Sequence, residues 1–323
     1  MKKVQIKKFA SYAPQLTVSN DDLSKIMDTS DEWISSRTGI KQRRISLTEN
    51  TSDLCLQVAQ KLIKQAHVNP AEVGLIIVAT MSPDAATPST SALVQGKLHA
   101  ENALAFDISA ACSGFIYGLE IAQKMMRQST YKYAIVIGGE VLSKEVDWTD
   151  RTCAVLFGDG AAGALLENDA VQESFYGTDT KVVGDLNGDL VAGQTNPIQE
   201  FPPADFTVFH PFKMDGRAVY KFATSEVPAS ILRVCKANRL QPDEVDYFVL
   251  HQANYKIIKS IAKKIKQPIE KFPMNMDKYG NTSAASIPLM LTELAEKENL
   301  EGKTIVISGF GGGLTIGSQI IKL

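Results

Sequence analysis

Two stretches of the chain read alike and indicate the fold: His67-Val-Asn-Pro-Ala-Glu-Val-Gly-Leu-Ile-Ile-Val-Ala-Thr80 and Arg239-Leu-Gln-Pro-Asp-Glu-Val-Asp-Tyr-Phe-Val-Leu-His-Gln252. Pro70 falls on Pro242, an offset of 172 residues (242 minus 70), and each proline is followed two residues later by Glu-Val. Each stretch follows an amphipathic segment, Leu54 to Ala66 or Val227 to Asn238, and runs into an apolar strand. The order helix, turn, strand is therefore predicted twice.

A second pair of stretches supports a duplication. Ala134-Ile-Val-Ile-Gly-Gly-Glu140 resembles Thr304-Ile-Val-Ile-Ser-Gly-Phe310 at an offset of 170 (304 minus 134). Continuous Val/Ile runs indicate strands that are covered on both faces. A chain of 323 residues is also too long for one small core. We predict an α/β protein with mixed, buried sheets and two similar halves, residues 1–170 and 171–323.

Composition excludes several classes of protein. Apolar residues make up 44% of the chain, which excludes intrinsic disorder. The net charge of −2 provides no global basic field for nucleic acid. Uncharged stretches such as Ala85 to Gly96 have 12 residues, whereas a membrane-spanning helix needs about 20. We expect no membrane segment, and no signal peptide after Met1.

The four cysteines, Cys55, Cys112, Cys153 and Cys235, have no metal-ligand spacing. A chain of this size does not need disulfides, so we expect a reduced, cytoplasmic protein without a metal site. Three of the cysteines are then small buried side chains.

Cys112 differs from the other three in its setting. A strand, Ala103 to Ile108, is followed by small residues and then by an apolar helix. This order places the sulfur at a helix N-terminus, where the dipole and free N–H groups favour a thiolate and lower the pKa. The alternative is a packed cysteine in an alanine-rich turn. We favour Cys112 as a nucleophile.

Two further residues should meet Cys112. His251 follows the strand Tyr247 to Leu250, at the strand end where open α/β sheets form sites. Adding 170 to 112 gives position 282, beside Asn281 at the start of the equivalent helix. Asn281 is either a helix N-cap or a donor to an oxygen that gains charge. We interpret His67, His99 and His210 as structural.

Glycines and lysines give weaker signals. Phe310-Gly-Gly-Gly313 suits a phosphate cradle, an oxyanion hole or a tight turn. Gly158 to Gly163 matches G-x-G-x-x-G, but a strand and not a helix is predicted after it, so we reject a dinucleotide site. Lysines at i, i+3 and i+7 after His251 form a basic helical face, either solvated or suited to an acidic partner.

Motifs across the whole chain resemble one family, β-ketoacyl-[acyl-carrier-protein] synthase III. They are Phe106-Asp-x-x-Ala-Ala-Cys112-Ser-Gly-Phe, His251-Gln-Ala-Asn254, Tyr279-Gly-Asn281-Thr-Ser-Ala-Ala-Ser and Gly309-Phe-Gly-Gly-Gly313, with further matches over residues 28–40 and 149–160. The resemblance implies a thiolase-like duplicated αβαβα layered sandwich with two mixed sheets. It also implies a homodimer, no cofactor, and an enzyme that initiates bacterial fatty acid synthesis.

The resemblance implies a reaction in two stages. Cys112 takes the acyl group of a short acyl-CoA. Malonyl-acyl carrier protein then loses CO₂, and its enolate attacks the acyl-Cys. His251 and Asn281 stabilise that enolate, and the backbone N–H groups of Cys112 and Gly312 form the oxyanion hole of acyl transfer.

Binding residues follow from the same resemblance. It assigns six residues to CoA: Trp33, Arg37, Thr38, Arg151, Gly216 and Asn254. It assigns four exposed lysines to docking of the carrier protein: Lys221, Lys256, Lys263 and Lys264. Thr87, reached across the dimer, and Ile316 stand where relatives carry Phe and Trp, so we expect a roomier acyl pocket that accepts longer or branched primers.

Three other functions stay open from the sequence. A relative of the same fold could transfer the acyl group to a different acceptor. A cysteine amidohydrolase could use Cys112, His251 and Asn281, but it leaves Trp33 and Arg151 unexplained. A non-catalytic binding protein does not need Cys, His and Asn together.

Overall fold

The computed structural model describes residues 2–184, 188–193 and 211–323. Its strands are β1 (Val4–Tyr12), β2 (Leu16–Ser19), β3 (Gln42–Ile45), β4 (Val73–Ala79), β5 (Leu104–Ile108), β6 (Tyr133–Glu140), β7 (Gly160–Asn168), β8 (Phe175–Val182), β9 (Leu190–Val191), β10 (Lys213–Met214), β11 (Tyr247–Leu250), β12 (Thr304–Gly311) and β13 (Thr315–Lys322). Its helices are α1 (Asn20–Leu23), α2 (Asp31–Thr38), α3 (Thr51–Ala66), α4 (Thr90–Leu98), α5 (Gly114–Arg127), α6 (Gly216–Ala237), α7 (Tyr255–Lys264), α8 (Met276–Tyr279) and α9 (Ser286–Lys297). His210, interpreted above as structural, lies outside the described residues.

Two mixed sheets form the frame. One has the order β1-β7-β6-β4-β5 and the other β11-β12-β13-β8. β4 runs parallel to β6, and β11 runs parallel to β12. The pairs β6–β7 and β7–β1 in the first sheet, and β12–β13 and β13–β8 in the second, are antiparallel. The second sheet thus repeats the strand order of the first, with β11, β12, β13 and β8 in the places of β4, β6, β7 and β1.

Alternating side chains divide the molecule into layers. On β4, Leu75 and Ile77 face the cluster that contains α5 and α9, whereas Ile76 and Val78 face α3 and α4. The α5–α9 cluster also receives one face of the second sheet, and the other face of that sheet packs on α6 and α7. Successive side chains of a strand point to opposite faces. The predicted αβαβα sandwich with two mixed sheets is confirmed.

The duplication extends to the backbone. His67 ends α3 with φ of 53°, and Arg239, 172 residues later (239 minus 67), has φ of 55°. A capping box opens the turn after each: Asn69 with Glu72, and Gln241 with Glu244. Side-chain caps satisfy the free N–H groups of these turns, so similar local chemistry builds the same turn twice.

The helices begin earlier than the amphipathic pattern predicted. α6 begins at Gly216 and not near Val227, because the Asp215 side chain accepts hydrogen bonds from the N–H groups of Arg217 and Ala218. Such an N-cap stabilises the first turn. G-x-G-x-x-G at Gly158 runs into strand β7, so the rejection of a dinucleotide site agrees with the fold.

The two halves meet where the backbones approach closely. A Cβ added at Gly138 of β6 would lie 2.5 Å from the carbonyl carbon of Ala284, and one at Gly309 of β12 would lie 2.8 Å from the Cys112 carbonyl oxygen. The turn that precedes a helix in one half therefore lies against the sheet of the other half, and it can approach this closely only because the strand has a glycine at that position. The boundary between residues 170 and 171 stays a prediction.

Two global features accompany this frame. All four cysteines are free and buried. Among the described residues, no helix has the length and hydropathy that spanning a membrane requires.

Candidate active site

A cavity of about 220 Å³ opens at the meeting point of the two halves. Cys112, His251 and Asn281 all line it. The first half supplies Cys112 from the turn before α5, and the second half supplies His251 from the end of β11 and Asn281 from the loop before α9. The predicted convergence of these three residues at the seam is therefore observed. The rest of the wall is mostly apolar and includes Met81, Leu156, Phe157, Leu190, Phe212, Met214 and Phe310.

Cys112 lies in a 3₁₀ turn, Ala111–Ser113, directly before α5. The helix N-terminus was expected to lower its pKa, and this expectation is wrong for the structure. Burial raises the pKa of the Cys112 thiol to about 12, although Ser283 acts in the opposite direction. The free-energy cost of removing a thiolate from water exceeds the stabilisation that the helix N-terminus gives it. The resting group is the neutral thiol, which must lose its proton as it attacks.

His251 is buried and held at one ring nitrogen. Its Nδ1 lies 2.7 Å from the Ser286 hydroxyl oxygen, at the first residue of α9. Burial lowers the pKa of His251 to about 3, so the imidazole is neutral. A neutral ring whose Nδ1 accepts from Ser286 carries its proton on Nε2. In that tautomer Nε2 can donate to a ligand oxygen in the cavity.

Asn281 is oriented by its own loop. Its side-chain oxygen accepts from the Ser283 N–H at 2.9 Å, and its backbone pairs with Leu156 and Gly158. With the oxygen held, the amide nitrogen is the end that can donate to a ligand. The helix-cap interpretation does not hold, since α9 begins at Ser286 with Ala285 before it and no side-chain cap.

The glycine run approaches the nucleophile at Gly311. A Cβ added there would lie 2.7 Å from the Cys112 backbone nitrogen, and Gly311 lines the cavity. Gly312, the residue predicted as an oxyanion donor, packs against Leu190. Its role stays a prediction. Gly311 is a neighbour of Cys112 that the motif alone did not single out.

Glu140 and Ser283 were missed from the sequence. Glu140, at the end of β6, is fully buried and accepts hydrogen bonds from the Thr80 and Ser82 side chains and the Met81 and Ser82 N–H groups. Ser283 lines the cavity together with Cys112, and its hydroxyl donates to the Met81 Sδ at 3.6 Å. The position of Glu140 at the carboxyl end of a repeated strand was the available signal.

The residues assigned to CoA form two groups. Gly216 and Asn254 line the cavity, whereas the guanidinium groups of Arg37 and Arg151 lie 4.6 Å and 5.3 Å from the Trp33 ring. Asn254 connects the groups, because its side chain donates to the Arg37 carbonyl at 3.0 Å.

Thr38 is used differently from its assignment. Its hydroxyl donates to the Ile34 carbonyl at 2.7 Å and accepts from the Ile40 N–H at 3.0 Å. Both bonds belong to the end of α2, so Thr38 has a clear structural role there, and its contact with CoA stays a prediction.

The four lysines assigned to docking are all exposed. Lys221 lies on α6, and Lys256, Lys263 and Lys264 lie on α7. Lys264 donates to the Thr224 carbonyl of α6 at 2.7 Å, which ties the two helices into one basic surface.

The residues assigned to the acyl pocket are not brought to the cavity wall of the single chain. Thr87 is exposed in the loop before α4. Ile316 is fully buried in the core beneath α6, opposite Phe310 in the β12–β13 ladder. Their influence on primer length stays a prediction.

Comparison with known sequences gives close relatives over the whole chain. The sequence model for 3-oxoacyl-[acyl-carrier-protein (ACP)] synthase III matches residues 106–184, and the model for its C-terminal part matches residues 235–323. The chain is 53% identical to the β-ketoacyl-[acyl-carrier-protein] synthase III of Limosilactobacillus reuteri strain DSM 20016, over 100% of both chains. It is 55% identical to the enzyme of the same name from Lactobacillus delbrueckii subsp. bulgaricus strain ATCC BAA-365, over 99% of both.

Solved structures are similar over the same extent. The 3-oxoacyl-[acyl-carrier-protein] synthase III of Aquifex aeolicus VF5 superposes with a TM-score of 0.90 at 39% identity, covering 100% of both chains. The enzyme of Pseudomonas aeruginosa PAO1 gives a TM-score of 0.90 at 33% identity, covering 99% of this chain and 98% of its own.

Proposed function

The chain belongs to the β-ketoacyl-[acyl-carrier-protein] synthase III family, and on that premise we propose that Cys112, His251 and Asn281 carry out its reaction. The family and the acyltransferase class predicted from the motifs are confirmed by relatives that match the whole chain. The enzyme condenses an acyl-CoA with malonyl-acyl carrier protein and thereby initiates fatty acid synthesis.

One observation carries the assignment of residues. A buried thiol, a neutral imidazole and an oriented amide line one apolar cavity at the seam of the two halves. A nucleophile opposite two neutral donors suits a reaction in which a thioester oxygen becomes negative. Apolar walls suit a short acyl chain and exclude water that would hydrolyse the acyl-Cys.

In the first stage the Cys112 sulfur attacks the thioester carbon of the acyl-CoA. The bond to the CoA sulfur breaks, the acyl group stays on Cys112, and the proton that the Cys112 thiol loses leaves with CoA as its thiol. Backbone N–H groups beside Cys112 stabilise the oxyanion of the tetrahedral intermediate, with Gly312 as the predicted second donor. Each such donor is worth about 3–4 kcal/mol.

In the second stage malonyl-acyl carrier protein loses CO₂, and the electron pair of that bond forms an enolate. The His251 Nε2–H and the Asn281 amide donate to the enolate oxygen. The enolate carbon then attacks the acyl carbon and expels the Cys112 sulfur as a thiolate, which gives the 3-oxoacyl product. A proton from solvent restores the Cys112 thiol. Neutral donors suit this step because they stabilise negative charge without giving up a proton.

Substrates reach the cavity from the Trp33 side in this scheme. The indole, Arg37 and Arg151 bind the adenine and phosphates of CoA, and Gly216 and Asn254 flank its pantetheine arm. The indole ring stacks on adenine after one of the arginines moves aside. Lys221, Lys256, Lys263 and Lys264 then attract the acidic carrier protein.

A second copy of the chain completes the enzyme in this proposal. β5 pairs with β4 on one side and, among the described strands, with nothing on the other. Leu104 on this strand is 46% exposed. An apolar edge strand is suited to pairing with another chain. The loop of Thr87 precedes α4, which packs on β5, so a dimer across β5 brings that loop toward the partner.

The same scheme leads to proposals on cofactors and on the cellular compartment. Acyl-CoA and malonyl-acyl carrier protein are substrates, and the proposed chemistry uses no metal and no other cofactor. Four free cysteines fit a reducing compartment, and we place the enzyme in the cytoplasm.

The test is intact-mass and peptide-mass analysis after incubation with acetyl-CoA. The Cys112 peptide should gain an acetyl group, and adding malonyl-acyl carrier protein should remove it and yield acetoacetyl-carrier. A label on Cys55, Cys153 or Cys235 would overturn the assignment of the nucleophile. Transfer of the acetyl group to another acceptor, without condensation, would favour a relative with a different product.

A further inference from the structure

Arg43 of β3 is a fully buried cation that the proposed reaction does not use. It is 0% exposed, and burial lowers the pKa of its guanidinium to about 10, so the group is charged near neutral pH. The acceptors that the structure describes for it are all uncharged, and its Nε has no hydrogen-bond partner among the described residues. Uncharged acceptors offset the cost of burying a cation less than a carboxylate would. An apolar side chain of similar length would fill the same space without that cost, so packing alone does not account for Arg43.

The planar fork of the guanidinium joins two parts of the chain. Its Nη2 donates to the Val155 carbonyl at 2.9 Å and to the Asn20 side-chain oxygen at 2.8 Å. Its Nη1 donates to the Val18 carbonyl at 3.2 Å. Because the donors of a guanidinium have fixed directions, these bonds set the position of Val155 relative to Asn20 and Val18. Val155 directly precedes Leu156 and Phe157, which line the cavity.

The residues that follow Val155 hold the backbone of Asn281. The Leu156 carbonyl accepts from the Asn281 N–H at 2.8 Å, and the Gly158 N–H donates to the Asn281 carbonyl at 3.0 Å. Together they form a parallel bridge between Phe157 and Asn281. Both main-chain polar groups of Asn281 are thus bonded to this segment, so a displacement of the segment moves the Asn281 amide with it.

Two glycines allow the Arg43 side chain to lie directly against this bridge. A Cβ added at Gly158 would lie 3.0 Å from the Arg43 Cβ, and one added at Gly280 would lie 3.3 Å from it. Gly280 has φ of 66° and directly precedes Asn281. Arg43 therefore contacts both strands of the bridge with its Cβ and bonds the start of one of them with its guanidinium.

We propose that Arg43 positions the Asn281 amide for the enolate, by fixing the segment of Val155 to Gly158 to which the Asn281 backbone is bonded. This inference rests on the function proposed above. Arg43 touches no reacting atom in that scheme, so it is a positioning residue. A misplacement of about 1 Å can lower a rate about 100-fold. Cys112 lies in the turn before α5, outside the bridge, so its acylation should depend on Arg43 much less than the condensation does.

The Asn20 side of the fork leads to α2 and decides how the reaction is followed. The Asn20 Nδ2 donates to the Asp31 carboxylate at 2.8 Å, and Asp31 is the first residue of the helix that carries Trp33. Loss of Arg43 can therefore also change KM for the acyl-CoA. The condensation is measured on enzyme that already carries acetyl on Cys112 and from which CoA has been removed, so that only the second stage is observed.

The test uses Arg43→Met, Arg43→Lys and the control Arg44→Met. Neighbouring residues of a strand point to opposite faces, and Arg44 donates instead to the Pro14 and Gln15 carbonyls. Melting curves verify the fold, and mass analysis after addition of malonyl-acyl carrier protein gives the rate. Arg43→Met should slow condensation about 10- to 100-fold. Arg43→Lys has a charge but no fork and should slow it about fivefold or more, which keeps the test decisive if Arg43→Met does not fold.

The control and a double-mutant cycle with Asn281→Ala separate positioning from a general loss of structure. Arg44→Met should change condensation less than about threefold. Asn281→Ala has no amide to position, so adding Arg43→Met to it should change the residual rate by less than about threefold. Acylation of folded Arg43→Met at saturating acetyl-CoA should also stay near the wild-type rate. Equal loss of both stages, the full slowing in the Asn281→Ala background, or folded Arg43 variants that condense like the wild type would each overturn the proposal.

Hydrogen exchange of the free enzyme distinguishes this inference from the proposed function, because it needs no substrate. The Asn281 N–H is bonded to the Leu156 carbonyl, so a peptide covering residues 279–283 should exchange faster in Arg43→Met and unchanged in Arg44→Met. If the wild type does not condense acetyl with malonyl-carrier but this exchange rises, the support of Asn281 by Arg43 stands and the proposed reaction fails. If the wild type condenses, and Arg43→Met matches it in exchange and condensation, the inference fails and the function stands.

Discussion

Gly138→Ala is the perturbation that most directly tests how the two halves hold the site. The added Cβ would lie 2.5 Å from the Ala284 carbonyl carbon and 2.9 Å from the Ala285 nitrogen. Ordinary contacts begin near 3.4 Å, so the two backbones must separate by nearly 1 Å. Both obstructing groups belong to the main chain, and no side-chain rotation relieves them. Overpacking of this kind costs about 1–3 kcal/mol or more, and we expect at least 3 kcal/mol.

The displaced segment is functional as well as structural. Ala284 follows Ser283, which lines the cavity with Cys112, so separation should also slow acylation by acetyl-CoA. The matched control is Gly96→Ala on α4, where a Cβ meets nothing within 4 Å. Alanine is better than glycine inside a helix by about 1 kcal/mol, so this variant should be as stable as wild type or more stable.

Guanidinium unfolding at equal protein concentration measures the change in the free energy of unfolding. Single-turnover mass analysis measures the rate of acylation by acetyl-CoA. Equal concentration matters because association alters apparent stability. Gly138→Ala with stability within about 0.5 kcal/mol of wild type and an unchanged acylation rate would refute the argument that this close approach positions the site.

Three further predictions address the reaction and its partners. Asn281→Asp keeps the oxygen that accepts from the Ser283 N–H but lacks the donor, so condensation should fall about 10²–10³-fold while acetyl transfer to Cys112 persists; equal loss of both steps would contradict the assigned role. Changing Lys256 and Lys263 together to Glu should raise KM for malonyl-acyl carrier protein and flatten its salt dependence, whereas Lys64→Glu on α3, in the opposite outer layer, should not. Wild type should accept propionyl-, butyryl- or branched acyl-CoA, since each buried CH₂ is worth about 0.8 kcal/mol, and Thr87→Phe should lower kcat/KM for these primers but not for acetyl-CoA; strict acetyl specificity of the wild type would end this idea.

Much of the fold was predictable because its signals are local. The repeated turns are specified within a few residues: each has a proline and a Glu that closes a capping box, as in Asn69 with Glu72. Strand, small residues and helix around Cys112 are likewise contiguous in the sequence. The repeat at an offset near 170 also related Cys112 to the turn beside Asn281, and the structure brings both to one cavity.

The reactive groups and the two similar units that carry them can be identified from the sequence alone. Their ionisation was decided only by the tertiary structure. Burial raises the pKa of Cys112, and part of that burial comes from the β12 glycines, which are distant in the chain and approach the Cys112 backbone. This outweighs the local effect of the helix end. Glu140 is 28 residues from Cys112 (140 minus 112) and 143 from Ser283 (283 minus 140). Local sequence patterns do not predict this proximity, because it arises from the close approach of two backbones at a glycine.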